Sequence, residues 1–186
     1  KIADLLGLSR VQVTRLLARA LKEGVVEIRV HSDESIFPDL QIALQSTFGL
    51  EQAWVSPGFD DHEKNMESLG AVAAQCLMSL LKPDDVVAVG LSATLEHMIP
   101  HLPRTKIGAT FVPALGSRPG GAVSINPHEI ASDLAERLGG STRHLPAPFV
   151  MASEESATMM RNEPDVASTL ELARQASMGL YGLGGT

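Results

Sequence analysis

A glycine-containing segment in the middle of the chain has the residue types of an anion-binding loop. Its members are Gly90, Leu91, Ser92, Ala93 and Thr94. They follow an apolar run at residues 86–89, which is typical of a buried strand, and they precede a segment with helical periodicity. Backbone N–H groups at such a strand-to-helix loop favour phosphate, and the hydroxyl groups of Ser92 and Thr94 would add donors. Such loops are also small and polar for reasons of turn geometry alone, so the residues leave both interpretations open.

Two further loops are expected at the same edge of a sheet, because ligands of open α/β sheets bind beyond the carboxyl ends of the strands. One covers residues 114–124 and the other residues 182–186, and both contain glycine. Arg118 in the first of them could pair with an anion, although a solvated loop arginine is an equally good interpretation. Asn126 could contact a ligand as well, but a role as helix N-cap already explains it.

Catalysis and metal binding are not predicted. The three loops contain no Asp or Glu, whereas a sugar-phosphate isomerase or deaminase needs a positioned carboxylate base. His97 and His101 are spaced four residues apart, but no Glu follows the first His as in the zinc-protease motif. Cys76, the single cysteine, lies in a helical apolar pattern and is interpreted as a small core residue. We therefore expect a protein that is not an enzyme, with no cofactor, no catalytic residue and no metal.

Charge divides the chain into a basic beginning and an acidic remainder. Residues 1–30 hold six basic and three acidic side chains, a net charge of +3, whereas the remaining residues sum to −10 and the whole chain to −7. A basic module on an acidic body is the asymmetry expected when the module meets a polyanion. An excess of three charges also arises by chance, so charge alone does not decide for nucleic acid.

The pattern within residues 1–30 favours DNA binding. Apolar residues recur at three- and four-residue steps and predict a helix over residues 10–22, with Gly24 at its end. A short helix before it would be broken by Gly7, and this order forms the helix-turn-helix unit, although a generic helical hairpin has the same outline. Residues 25–30 alternate as a half-buried strand does. The residues predicted to contact DNA are the N-cap Ser9 together with Arg10, Gln12, Thr14 and Arg15.

The rest of the chain alternates predicted strands with predicted helices, which indicates an α/β domain with a parallel sheet. The strands are predicted at residues 53–55, 86–89, 107–113, 142–145 and 177–183, and the helices at residues 38–48, 66–81, 94–101, 126–138, 153–161 and 164–175. Asn126 and Glu129 are spaced as in a capping box. Hydrophobic residues make up 44% of the 186, enough for a packed core. No apolar run approaches the ~20 residues of a membrane span.

Motifs along nearly the whole chain resemble those of SorC-type bacterial transcriptional regulators. At the beginning, residues 5–9, 13–17 and 24–28 resemble the winged helix-turn-helix end of that family. Segments that resemble its effector domain are Phe48-Gly49-Leu50, Leu69-Gly70, Val87-Ala88-Val89-Gly90, residues 126–139 and Leu145-Pro146-Ala147-Pro148. The resulting expectation is a partial helix-turn-helix at residues 1–31, a linker at residues 32–37, and an effector domain at residues 38–186 that is truncated at its C-terminus.

The resemblance implies a parallel-sheet effector domain similar to ribose-5-phosphate isomerase, glucosamine-6-phosphate deaminase and CoA-transferase folds. It also implies a cytoplasmic, homodimeric or homotetrameric regulator of carbohydrate genes, such as a repressor, which binds double-stranded operator DNA and responds to a phosphorylated sugar. Its effector-contacting residues would be Gly90, Leu91, Ser92, Ala93, Thr94, Leu115, Gly116, Arg118, Asn126, Ala147 and Pro148. Residues 91–93 offer less glycine and threonine than the phosphate loop of many relatives, and Leu115 stands where some place a polar residue. The alternatives are an isomerase or deaminase on the same fold, or an interaction module that has lost its ligand.

The position of Gly90, together with the resemblance, predicts that this glycine lets phosphate approach the backbone. Gly90→Val would then abolish the response to the effector and leave operator binding intact. If the glycine only permits the turn, the same substitution destabilises the fold instead.

Overall fold

The computed structural model of the protein describes residue 3, residues 7–23, residue 25 and residues 37–117 and 126–184. The chain divides into two compact units, Lys1–Ser35 and Ile36–Thr186. The first unit contains helix α1 (Arg10–Lys22). The second contains, in chain order, α2 (Pro38–Phe48), α3 (His62–Leu80), β1 (Val86–Val89), α4 (Ala93–Met98) with a 3₁₀ turn at Ile99–His101, β2 (Thr110–Pro113), α5 (Pro127–Leu138), β3 (Ser141–Thr142), α6 (Glu154–Asn162), α7 (Pro164–Arg174) and β4 (Met178–Leu180). Within the described residues, every helix is too short or too polar to span a bilayer.

Helix α1 begins at a reciprocal cap. The backbone N–H of Gln12 donates to Ser9 Oγ at 3.3 Å, and the N–H of Ser9 donates to Gln12 Oε1 at 2.8 Å, which is the arrangement of a capping box. Before the cap, Gly7 has a φ of 63°, and the N–H of Leu8 donates to the Ala3 carbonyl at 2.9 Å. A residue without Cβ adopts this φ readily, so Gly7 allows the chain to turn into α1.

The predicted helix over residues 10–22 is confirmed, and its apolar face is partly open to solvent. Leu16 and Leu17 are about half exposed, whereas Val13 is half-buried. Gly24 and residues 26–30, for which the sequence predicts a helix end and a strand, lie outside the described residues.

Four parallel strands form one sheet in the order β3-β2-β1-β4. Strand β1 lies inside the sheet, with Val87 in register with Phe111 of β2 on one side and with Met178 of β4 on the other. Val87, Val89 and Phe111 have no exposed surface. Burial of both strand faces is what an unbroken apolar run such as residues 86–89 indicates.

Helix α5 shows how a helix packs on this sheet. Its residues Ile130, Leu134 and Leu138 recur every four positions and are buried in the core together with Phe111. The N–H of Ile107, which precedes β2, donates to the carbonyl of Leu138 at 2.8 Å. The C-terminal end of α5 is therefore fixed at the amino ends of the strands, and its N-terminal end reaches the carboxyl edge.

The structure differs from the sequence-based prediction in one strand and in several boundaries, and β2, β3 and β4 are shorter than predicted. No strand forms over residues 53–55, which are half-buried and pair with no strand among the described residues. Helix α3 begins at His62, four residues before the predicted start, because Asp61 caps it by accepting from the N–H of Lys64 at 2.9 Å. The polar residues of this first turn hide its helical character, since the apolar face begins only at Met66.

Helix α2 confirms the helix predicted over residues 38–48, but none of its residues is buried. The side chains of Leu40, Ile42, Leu44 and Phe48 are exposed. Its end is set by Gly49, which has a φ of 65° and closes the last turn.

Candidate functional site

The strand order creates a crevice beside β1. From β1 the chain crosses to β2 and then β3 on one side, and it later returns to place β4 on the other side. The segments that follow β1 and β4 therefore leave the carboxyl edge at a topological switch point. Open α/β sheets bind their ligands at such a point.

Close contacts join the first and third of the loops predicted from the sequence. The N–H of Gly90 donates to the carbonyl of Leu180 at 2.8 Å. A Cβ added to Gly182 would overlap Ser92 Oγ, so only glycine permits this approach. The loop after β1 and the loop after β4 thus form one surface.

The structure gives a different reason for a glycine at position 90 from the one that the sequence predicts. A Cβ at this position would lie 2.5 Å from Cδ1 of Tyr181 and 3.1 Å from the carbonyl oxygen of Leu180. The glycine is therefore required by the packing of β4 on β1, and Gly90→Val would disturb the sheet itself.

The backbone of the loop after β1 offers unused donors. Within the described residues, the N–H groups of Leu91, Ser92, Ala93 and Thr94 make no hydrogen bond. The Ser92 side chain is 9% exposed, and its hydroxyl does not cap the helix that follows. Because α4 has only six residues, these N–H groups matter more than a helix dipole. They are suited to an anion that has several acceptor oxygens.

The described part of the three loops is electrically neutral. Residues 90–94, 114–117 and 182–184 contain no charged side chain, and Arg118 lies outside the described residues. The nearest acidic group along the chain is Glu96 in the first turn of α4, and burial raises the pKa of its carboxyl above the ordinary value. The described residues of these loops would therefore bind an anion through backbone N–H groups and hydroxyl groups.

The second loop lies beside the first and against residues 147–148. The N–H of Ala114 donates to the carbonyl of Val89 at 2.8 Å. The N–H of Ser117 donates to the carbonyl of Ala147 at 2.9 Å, and a Cβ on Gly116 would overlap that same oxygen. Four predicted effector-contacting residues are thereby brought together, namely Leu115, Gly116, Ala147 and Pro148.

Asn126 lies at the start of α5, at the carboxyl edge. Its side chain caps the helix by accepting from the N–H of His128 at 3.0 Å. A capping box also requires the N–H of Asn126 to donate to the Glu129 carboxylate, and this bond is absent from the described part of the chain. The side-chain oxygen of Asn126 thus accepts from His128, whereas the side-chain N–H₂ group of Asn126 donates to no described residue.

Two histidines at this edge were not among the residues that the sequence predicts. The rings of His128 and His144 lie 4.6 Å apart between centroids and are tilted by 48°. Both ring nitrogens of His128 are buried, and neither has a hydrogen-bond partner among the described residues. Burial, followed by the neighbouring His144, lowers the pKa of His128 below 6.5. No sequence signal joins residues sixteen positions apart in this way, because the contact depends on how α5 and the segment after β3 pack.

His97 and His101, the two histidines spaced four residues apart, lie close to carboxylates. His97 Nε2 lies 3.4 Å from Glu63 Oε1, and His101 Nε2 lies 3.2 Å from Glu67 Oε1. The hydrogen bond from His97 Nδ1 to the Ala93 carbonyl at 2.9 Å, and then Glu63, raise the pKa of His97 above 6.5. Among the described residues, no group of three or more potential ligands is placed to hold a metal ion. These histidines instead join α3 to α4.

A separate cavity of ≈ 250 Å³ lies where α6 meets α7. Its lining residues are Pro146, Met160, Glu163, Pro164, Asp165 and Val166. Two carboxylates make this cavity a poor place for an anion, so the switch point is the better candidate.

The polar face of α1 carries the residues predicted to contact DNA, and all five are exposed. Ser9 and Gln12 cap each other, and the Thr14 hydroxyl donates to the carbonyl of Arg10 at 3.1 Å. Arg10 and Arg15 make no ion pair with any described residue. Among the described residues, the two arginines thus have no ionic partner.

Comparison with known proteins identifies the family to which this chain belongs. Residues 37–186 match the Sugar-bind family of sugar-binding domains. The transcriptional regulator LsrR of Klebsiella pneumoniae is 31% identical over 183 residues, which cover 98% of this chain and 54% of that protein. The erythritol catabolism regulatory protein EryD of Brucella abortus is 25% identical over 186 residues, which cover 98% of this chain and 58% of that protein. The chain thus spans little more than half the length of these relatives.

Solved structures share the fold. The sorbitol operon regulator SorC of Klebsiella pneumoniae superposes with a TM-score of 0.72 at 22% identity, over 96% of this chain and 59% of that one. A sugar-binding domain of a transcriptional repressor from Vibrio fischeri superposes with a TM-score of 0.69 at 25% identity, over 76% of this chain and 55% of that one.

Proposed function

Because residues 37–186 place the chain in the Sugar-bind family, among relatives of SorC type, we propose that it is a DNA-binding transcriptional regulator controlled by a phosphorylated sugar. Two of the similar proteins are named for sorbitol and for erythritol catabolism, which favours genes of carbohydrate uptake or breakdown as the targets. The site of action would be the bacterial cytoplasm, where operator DNA is found.

The observation that carries the effector half of this proposal is the set of unused N–H groups at residues 91–94. They lie at the switch point, next to the nearly buried Ser92 hydroxyl. A phosphate group offers several acceptor oxygens, and backbone N–H groups bind it without a charged side chain. Leu115, Gly116, Ala147 and Pro148 would line the sugar, with Asn126 and Arg118 completing the set.

The DNA half of the proposal depends on α1. The residues that would face the operator are Ser9, Arg10, Gln12, Thr14 and Arg15. Residues 1–31 would form a partial helix-turn-helix, and residues 32–37 would link it to the effector domain. Palindromic operators are bound by two-fold assemblies, so we expect a homodimer or homotetramer. Binding of the effector would then favour one arrangement of the two DNA-binding ends over another.

An isomerase or deaminase on this fold is disfavoured by the site itself. The described residues of the three loops include no carboxylate that could act as a base. The similar proteins reported above are regulators, so the regulator is the only function proposed.

The direct test is an operator gel shift with the intact protein, with and without a panel of sugar phosphates and the matching unphosphorylated sugars. We expect at least one phosphorylated sugar, and none of the unphosphorylated ones, to change operator affinity. A protein that binds no operator, or that responds equally to both forms of a sugar, contradicts the proposal.

A pair of arginine variants in the same assay tests the DNA-facing side of α1. Arg15→Ala is expected to weaken operator binding by about 1–3 kcal/mol, as for an arginine that reads a base. Arg19→Ala is the matched control, because Arg19 is held by Glu23 at 2.7 Å. Equal operator affinity of Arg15→Ala and the unmodified protein would remove Arg15 from the interface.

A further inference from the structure

We infer that His128 and His144 form the end of the effector site that receives the hydroxyl groups of the sugar carbon chain, away from the phosphate loop. The inference rests on the proposed function, since it assumes that residues 90–94 hold the phosphate. It adds two residues to the site and names the chemistry that they would recognise.

Topology places the two histidines at the correct edge. His144 follows β3 by two residues, so it lies just beyond the carboxyl end of that strand. His128 is in the first turn of α5, whose opposite end is tied to residue 107 at the amino ends of the strands. Both therefore lie at the edge where residues 90–94 leave β1. Because β1 and β3 are separated by β2, the two places are roughly 10 Å apart, a span that a phosphorylated carbon chain can bridge.

The segment between the two places is continuous. Ala114 is hydrogen-bonded to Val89, the last residue of β1, and Ser117 is hydrogen-bonded to Ala147. Ala147 lies three residues after His144 in sequence. Hydrogen bonds thus link the loop after β2 both to the end of β1 and to the segment that follows His144.

The buried ring nitrogens of His128 need hydrogen-bond partners. Neither Nδ1 nor Nε2 has a hydrogen bond to any residue in the described part of the chain, although both atoms are buried. Buried polar groups in folded proteins are nearly always paired, and an unpaired one costs free energy. The exposed His144 ring lies against His128, so rotation of His144 would admit a ligand hydroxyl that supplies the missing partner.

The chemistry of the pair fits hydroxyl groups better than a second anion. A neutral imidazole has one N–H donor and one acceptor nitrogen. Burial and His144 both favour the neutral form of His128 by lowering its pKa. A sugar hydroxyl also donates and accepts, so it satisfies a neutral imidazole, whereas a phosphate would require a cation or further donors.

The neighbouring residues hold His144 in place. The hydroxyl of Thr169, a residue that is only 7% exposed, donates to the His144 carbonyl at 3.0 Å. The His144 side chain itself is exposed. His144 would therefore lie at the mouth of the site and His128 deeper within it.

The test compares ligands that share a phosphate and differ in the carbon chain. Inorganic phosphate, erythritol 4-phosphate and sorbitol 6-phosphate are titrated into the intact protein and followed by calorimetry and thermal shift. His128→Phe keeps the ring and removes both nitrogens, and His128→Gln keeps one donor and one acceptor. His62→Phe is the matched control, because His62 is exposed on α3 and belongs to neither of the segments that hold the histidine pair.

We expect His128→Phe to weaken binding of a polyol phosphate by about tenfold or more and to change phosphate binding by less than about twofold. His128→Gln should fall between His128→Phe and the unmodified protein, and His62→Phe should match the unmodified protein. A Tm no lower than that of the unmodified protein is expected for His128→Phe, because it removes buried unpaired nitrogens.

Other results overturn the inference in distinguishable ways. If His128→Phe binds the polyol phosphate as tightly as the unmodified protein, the histidine pair is not part of the site, and the proposed function stands. If His128→Phe loses phosphate and polyol phosphate equally, His128 acts through the fold alone, and the inference is again wrong. If the unmodified protein binds none of these ligands, the polyol-phosphate form of the proposed function fails together with the inference.

Discussion

The two ends of the carboxyl edge are built in different ways. Beside β1, the candidate binding groups are the backbone N–H groups of consecutive residues 91–94, which make no hydrogen bond to a described residue. Beside β3, the polar groups are the side chains of His128 and His144, which come from separate segments and meet only in the folded protein. A local pattern in sequence therefore reveals the first end, whereas the second end becomes visible only once the sheet order is known.

The largest effect is expected where the two ends are joined. Gly116→Ala would place a Cβ on the Ala147 carbonyl oxygen and force residues 114–117 and 147–148 apart. Overpacking of this kind costs about 3 kcal/mol, and thermal denaturation should show a lowered Tm. Gly184→Ala is the control, because its Cβ would meet nothing within 4 Å. Equal Tm values for the two variants would mean that these loops are not in contact in solution.

A second test addresses the β1 end alone. Ser92→Ala removes a nearly buried hydroxyl that caps no helix, so stability should change little while the phosphorylated effector is bound less tightly. The expected loss is about 1.5–3 kcal/mol, the range for a hydrogen bond to a charged group. Calorimetry with the effector found by gel shift measures it, with the exposed Ser168→Ala as control. Undiminished affinity would place the phosphate elsewhere.

The β3 end is tested by Thr169→Val. This substitution removes the hydrogen bond to the His144 carbonyl and should lower the free energy of unfolding by about 1 kcal/mol. It should also weaken binding of the sugar part more than binding of phosphate, because His144 loses its anchor. The exposed Thr158→Val provides the control. If stability falls and ligand affinity does not, Thr169 supports only the fold.

Changes of pH are expected to have the smallest effects on stability. These effects have opposite signs for His128 and His97. The pKa of His128 is lowered by folding, so the unfolded chain takes up a proton first and the contribution of His128 to stability is lost as pH falls below 6.5. The pKa of His97 is raised, so its contribution is present below 6.5 and is lost as pH rises through the raised value.

Urea denaturation between pH 5 and pH 8 separates these two contributions. Relative to the unmodified protein, His128→Phe should gain stability as pH falls, whereas the deficit of His97→Gln should be largest at low pH and shrink as pH rises. A pH-independent difference for either variant would contradict the corresponding shift.

Sequence patterns identify the helices and strands better than the residues at which they begin and end. The helix over residues 10–22, the buried strand at 86–89 and the helix over residues 38–48 follow from periodicity and are confirmed. Residues 53–55 have strand-forming types but pair with no strand, because pairing depends on a neighbour that composition does not specify. The early start of α3 depends on Asp61 rather than on an apolar pattern.

The sequence predicts a location for the candidate site but little of its chemistry. The strand-loop-helix order predicts residues 90–94 as a ligand loop, and the sheet order places them at the switch point. The sequence predicts that Gly90 lets phosphate approach the backbone, whereas the Tyr181 ring occupies the space beside it. A contact across 91 positions leaves no local signal. His128 and His144 are hidden for the same reason. Their role as ligand contacts, like that of all the site residues, stays a prediction.

The pairing of β1 with β4 also affects the order of events during synthesis. Ser177 contacts Val86 across 91 positions, so β1 leaves the ribosome long before its partner does. Until residues 178–180 emerge, one edge of the most apolar strand, residues 86–89, is unpaired and open to association with other chains. Loop closure over this length is entropically costly, which delays the final pairing. Shortening the chain before residue 178 should therefore produce insoluble protein.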